Sequence, residues 1–135
     1  MVLVVGYDRH PASRAALVFA GELAGALNVP LHVVHVIDDA DDTGPGNDDV
    51  DAERQHLADA LRAVQWSYHR LSGDPATALL EASNRHGASM LIVGRPEQGI
   101  GAAFGHMITG NVARNLLRHS TRPIVIVPEF GIAPQ

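Results

Sequence analysis

The chain has 135 residues, 46% of them hydrophobic and 19% charged, with a formal net charge of −5, which fits one globular domain large enough to bury a core. An acidic balance argues against nucleic acid or an anionic membrane as the main partner, because both need a basic face. There is no cysteine and no lysine, so disulfides, thiolate metal sites, cysteine nucleophiles and Walker-type or Schiff-base lysines are excluded.

The chain opens on Val2-Leu3-Val4-Val5 and reaches Gly6. A continuous apolar run rich in β-branched residues predicts a strand buried on both faces, as in a parallel sheet. No basic n-region, long apolar stretch or cleavage site is apparent, which points to a cytoplasmic protein that does not span a membrane. Tyr7 to His10 forms a loop, and Pro11 suits a first helical position. Ala16, Leu17, Ala20, Leu23, Ala24 and Leu27 recur at spacings of three and four, predicting a helix over 11–27 with one apolar face. Asn28-Val29-Pro30 stops it.

LHVVHVI, residues 31–37, is the second predicted strand. His32 and His35 lie three apart on it, so they face opposite sides of the sheet and cannot share a metal ion. An acidic stretch with Gly44, Pro45 and Gly46 follows, read over 39–50 as a mobile, solvated loop. Its acids do not match the spacing of a calcium-binding loop. A second helix is expected from about Asp51 to Ala63, then a half-exposed edge strand near Trp66–Leu71. Asp74 suits an N-cap, Pro75 a first helical residue and Gly87 a C-terminal cap, framing a third helix.

Met90-Leu91-Ile92-Val93 is a further buried strand. After it comes GRPEQGIGAAFGHMITGN, with glycines at 94, 99, 101, 105 and 110, and then an amphipathic helix over 112–118. Glycines let a ligand approach the backbone closely, and the N–H groups of a helix start form a cradle for phosphate. The same stretch also reads as a glycine-rich surface loop, since the spacing fixes no motif by itself. With no lysine to help, any phosphate must be held by backbone N–H, hydroxyl, amide or arginine groups. Ile124-Val125-Ile126-Val127 is the last strand, closed by Pro128, and 129–135 is expected to be a loose tail.

The order β-α-β-α-β-α-β-α-β predicts a doubly wound α/β fold, a parallel sheet with right-handed crossovers. In such sheets ligands sit beyond the carboxyl ends of the strands, where the strand order reverses. If the first and fourth strands flank that point, the loops Gly6–His10, Val36–Asp39 and Gly94–Asn111 converge. Asp8 would then offer a carboxylate to a ribose hydroxyl or an adenine amine, opposite N–H groups that take phosphates. No serine–histidine–acid set or general acid/base pair emerges, so no catalytic residue is assigned. His10 and His106 lack a third ligand, so no metal site is assigned either.

Several segments, in the right order and over essentially the whole chain, resemble the universal stress protein family. They are VLVVGYDRHPASRAAL, LHVVHVID, SGDPATALLEASNRHGASMLIVG and GHMITGNVARNLLRHSTRPIVIVP. The resemblance implies a five-stranded, Rossmann-like sheet of order 3-2-1-4-5 and, in the nucleotide-binding members, ATP at the switch point. Carried over by position, Gly6, Asp8 and Val36 would line the adenine and ribose end. Gly94, Gly110 and Asn111 would wrap the ribose and phosphates, with Gly99 standing in for a second loop glycine. Those members show a glycine, two residues, a second glycine, nine residues, then a glycine followed by serine or threonine. Here position 97 is Glu, position 111 is Asn, and Gly94 to Gly110 spans 16 positions, three more than the pattern. Arg95 and His106 can compensate phosphate charge, as can Mg²⁺.

The resemblance also implies a homodimer in which 124–127 pairs antiparallel with its copy. The expected function is a stress-response regulator, not an enzyme, that binds ATP or a related adenine nucleotide. The alternatives are a dimeric scaffold that does not take nucleotide and a weak nucleotide hydrolase.

Overall fold

The computed structural model describes residues 1–8, 11–37, 46–95 and 110–129. Its elements are β1 (Leu3–Gly6), α1 (Pro11–Leu27), β2 (Leu31–Ile37), α2 (Gly46–Ala60), β3 (Trp66–Ser72), α3 (Pro75–His86), β4 (Met90–Gly94), α4 (Gly110–His119) and β5 (Ile124–Val127). The five strands form one sheet in the order β3-β2-β1-β4-β5. Every adjacent pair is parallel. The predicted order is therefore the observed one.

The sheet is covered on both faces, and the alternation of side chains along the strands sorts residues between two cores. Leu3, Val5, Leu31, Val33 and Ile92 meet Ala16, Leu17, Ala20 and Ala24 of α1 and Leu57 and Leu61 from the α2 side. Val4, Val34, Val36, Leu91 and Val93 meet Ala76, Leu79 and Ala82 of α3 and Ala113 and Leu116 of α4. β1 is buried along its whole length, as an apolar run in the middle of a parallel sheet must be.

The helix ends follow local chemistry. The Asp74 side chain accepts a hydrogen bond from the Thr77 N–H at 3.0 Å, capping α3, and Pro75 occupies its first turn. Gly87 closes α3 in the left-handed conformation, φ 63°, and the Ala88 N–H reaches back to the Ser83 carbonyl at 2.9 Å. Asn28 does the same for α1 at φ 57°, with the Val29 N–H donating to the Ala24 carbonyl at 3.0 Å. Asparagine is among the few residues other than glycine that take this conformation readily.

Two boundaries need correction. The acidic loop read over 39–50 is already helical from Gly46. Composition alone made residues 46–49 look like loop. At the other end α2 stops at Ala60, and 61–63 forms a turn. Residues 39–45 and the expected tail from 130 onward lie outside the described residues. No helix among the described residues is long and apolar enough to cross a membrane.

Candidate functional site

The strand order reverses between β1 and β4, which pair directly through Leu3–Met90, Val4–Leu91 and Val5–Ile92. Their carboxyl ends, Gly6 and Gly94, therefore open side by side. β2 borders β1 on the other side, and Val36 is buried near the end of that strand. Helices in crossovers run opposite to the strands, so the start of α4 at Gly110 lies at this same end of the sheet. Gly6, Asp8, Val36, Gly94, Arg95, Gly110 and Asn111 thus belong to one edge of the fold. Gly99, His10 and His106 lie outside the described residues.

Asp8 is held in place rather than loose. The Tyr7 N–H continues the ladder by donating to the Val34 carbonyl at 2.9 Å, and the Asp8 N–H donates to the Ser13 hydroxyl. Asp8 and Ser13 are both buried, 6% and 4% exposed. Ser13, which reads in the sequence as an ordinary helix residue, fixes the turn between β1 and α1. Asp-x-x-x-x-Ser across a predicted helix start is the only sequence signal for that contact.

Tyr7 is buried, and its hydroxyl donates to Glu53 Oε2 of α2 at 2.9 Å. Burial first, and then the Glu53 charge, push the Tyr7 phenol well above its ordinary value. It therefore stays protonated and remains a donor to the carboxylate. The His35 ring stands edge-on to Tyr7, with centroids 5.7 Å apart, and His35 Nδ1 lies 2.9 Å from the Tyr68 hydroxyl. Tyr7 and Glu53 are 46 residues apart, so no local pattern links them. This layer ties α2 and β3 to the end of β1.

The two glycines that bound the loop do different things. A Cβ on Gly94 would lie 2.5 Å from the Ala12 carbonyl oxygen and 2.6 Å from its carbon. The missing side chain is thus already used by the protein, to let α1 start tight against the end of β4. A Cβ on Gly110 would meet no described atom within 4 Å, and Gly110 and Asn111 are exposed at the start of α4. Arg95 is exposed too, with its N–H donating to the Val127 carbonyl at 2.8 Å.

A doubly wound parallel sheet with a buried acid at the switch point and a helix start at the same end is the frame in which α/β proteins hold ligands beyond the carboxyl ends of their strands. Comparison with known proteins narrows this. The model of the universal stress protein family matches residues 1–128, and the chain belongs to that family. Among solved structures it is similar to a universal stress protein in complex with cAMP, at 25% identity and TM-score 0.73 over 96% of this chain and 97% of that one. A member of the family from Burkholderia pseudomallei is 29% identical, with TM-score 0.65 over 94% of this chain and 95% of that one. The universal stress protein from Archaeoglobus fulgidus in complex with dAMP shares the fold at 21% identity and TM-score 0.67, over 94% and 97% of the two chains. No curated protein shows significant similarity to the chain.

Proposed function

We propose that the protein binds an adenine nucleotide, ATP or a related one, at the switch point between β1 and β4, and acts as a ligand-dependent regulator rather than an enzyme. The observation that carries this reading is the pairing of β1 with β4, which sets Asp8 and the Gly110 start of α4 at one edge of the sheet. The cAMP complex of a relative 25% identical over almost the full chain supports the choice of an adenine ligand. In this reading Asp8, Gly6 and Val36 serve the adenine and ribose end. Gly94, Arg95, Gly99, Gly110 and Asn111 serve the ribose and phosphates, with Mg²⁺ as an accompanying ion if the phosphate chain is long. Membership of the family supports a stress-response role.

The test is adenine itself. Protein purified under native conditions releases adenine absorbance on denaturation, or takes up ATP in an equilibrium titration. Gly110→Val abolishes this while leaving the ligand-free protein folded, because a side chain there meets no described neighbour. Absence of any adenine uptake by the folded wild-type protein refutes the reading. It would favour a scaffold that does not take nucleotide, for which the three extra loop positions between Gly94 and Gly110 are the motive. Turnover of ATP with Mg²⁺ would identify a hydrolase instead.

A homodimer through β5 belongs to the same proposal. Among the described residues β5 pairs with β4 alone, and Ile126 is 38% exposed on it. A short apolar edge strand is a pairing template for its own copy.

A further inference from the structure

His32 of β2, His69 of β3 and His86 in the last turn of α3 come together on the α3 face of the sheet. Each offers one ring nitrogen, and the three nitrogens all lie within 4.8 Å of one another. We propose that these three histidines bind a divalent transition-metal ion of the zinc class, at a site separate from the nucleotide edge.

The fold dictates the juxtaposition. Register pairs His32 with Ser67 and Val34 with His69. His32, Ser67 and His69 therefore project from neighbouring strands to one face. The α3 crossover runs back along that face and ends at His86. His32 Nδ1 and His69 Nε2 are 3.0 Å apart, and the Ser67 hydroxyl lies 2.7 Å from the first and 2.9 Å from the second. Two imidazole nitrogens already aim at one point and share one small hydroxyl there. The His86 ring covers them, stacked on His32 at 3.8 Å and 4.9 Å from the centre of His69.

The chemistry of the donors selects the ion. Three imidazoles without a carboxylate or thiolate among them suit zinc, nickel, cobalt or copper, and do not suit magnesium or calcium. Desolvation first, and then the neighbouring histidines, hold His32 below the ordinary histidine value. Burial, His86, Arg54 and Arg85 do the same to His69. Both rings are therefore neutral near pH 7 and have lone pairs to give. Arg54 and Arg85 also oppose an incoming cation, which keeps affinity below that of a dedicated structural zinc site.

Zinc–nitrogen bonds of about 2.0–2.1 Å in a tetrahedron set ligand nitrogens roughly 3.4 Å apart. The His32–His69 edge is already near that length. His86 must close in and tilt out of its stack with His32, since parallel rings cannot converge their in-plane lone pairs on one ion. It sits half-buried at a helix end, where a rotamer change is available. Three protein ligands leave a fourth position for water. His32 lies four residues before Val36 on β2, about 13 Å at strand rise, so the site is at the far end of the sheet from the nucleotide edge.

The experiment uses tag-free, full-length protein freed of metal with a chelator. Titration with Co²⁺ is followed by its visible ligand-field absorption, and Zn²⁺ affinity is measured by competition with a chromophoric chelator. We expect one ion per chain and a Co²⁺ spectrum of low coordination number, displaced by Zn²⁺. His86→Gln and His69→Gln each weaken binding by at least about tenfold, the loss typical of removing even an outer-shell partner. The exposed His119→Gln leaves it unchanged, and adenine uptake is the same in all variants. His86 lies at a helix end, so its variant tests the site even if His69→Gln fails to fold. The proposal is overturned if no saturable Co²⁺ spectrum appears, if His86→Gln binds like the wild type, or if His119→Gln loses as much.

Discussion

Replacing Gly94 with alanine tests how tightly the end of β4 is fitted to α1. The new Cβ would sit 2.5 Å and 2.6 Å from two backbone atoms of Ala12 and 3.1 Å from its Cβ. Backbone cannot rotate away as the tip of a long side chain can. To reach an ordinary contact of 3.4 Å, the start of α1 must retreat by about 0.9 Å, against a core packed like an organic crystal. Overpacking of this kind costs about 1–3 kcal/mol, and a clash with main chain belongs at the upper end. Alanine also restricts the unfolded chain, which offsets about 0.7 kcal/mol. The net loss is therefore about 2 kcal/mol. For 135 residues the unfolding entropy is about 0.28 kcal/mol/K, so Tm falls by roughly 7 °C.

The assay is thermal unfolding of ligand-free protein by circular dichroism, at matched concentration so that any dimerisation contributes equally. Gly110→Ala is the control. With no described atom within 4 Å of its new Cβ, it should be neutral or more stable by up to about 1 kcal/mol. If Gly94→Ala melts within about a degree of the wild type, a shift far short of the worked loss, then the contact with Ala12 does not constrain the fold and the packing argument is wrong.

Other consequences follow from the same geometry. Tyr7→Phe removes a 2.9 Å hydrogen bond to the buried Glu53 and should cost about 1–3 kcal/mol in urea unfolding; an unchanged midpoint would mean that Glu53 does not depend on the phenol. His32 and His69 have lowered values in the folded protein, so the unfolded chain binds more protons just below pH 6.5. Metal-free protein should accordingly lose stability as pH falls from about 6.5 through those lowered values, with His86 acting on both rings and Arg54 and Arg85 on His69. His69→Gln should flatten that profile, and an identical slope in the variant would contradict the assignment. Ile126→Asp places a charge on the exposed side of β5. It should shift a sedimentation or gel-filtration dimer to monomer with the far-ultraviolet spectrum intact, whereas a wild type that is monomeric at every concentration would rule out the β5 pairing.

Much of the frame was legible because its signals are local. The apolar run of β1, the three-and-four spacing of α1, and the Asp74, Pro75 and Gly87 boundaries of α3 each record an interaction within a few residues. The start of α2 was misread because acidic residues suit both a solvated loop and a helix N-terminus, and the sequence does not say which wins. The switch point could be placed once the family resemblance supplied the strand order. That located Asp8 and Gly110 at one edge, but gave no hint that Ser13 holds the turn or that Tyr7 reaches Glu53.

The sequence by itself determined the alternating architecture, the strand order through the family resemblance, and the acid and glycines at the carboxyl ends of β1 and β4. Only the tertiary structure decided that Gly94 is needed by Ala12 while no described atom crowds Gly110, and that His32, His69 and His86 converge although His32 and His35 cannot. The reason is physical. Periodicity and capping depend on neighbours along the chain, whereas a close contact or a donor cluster depends on sheet register and on where a crossover helix ends. Those are fixed by the packing of both cores at once.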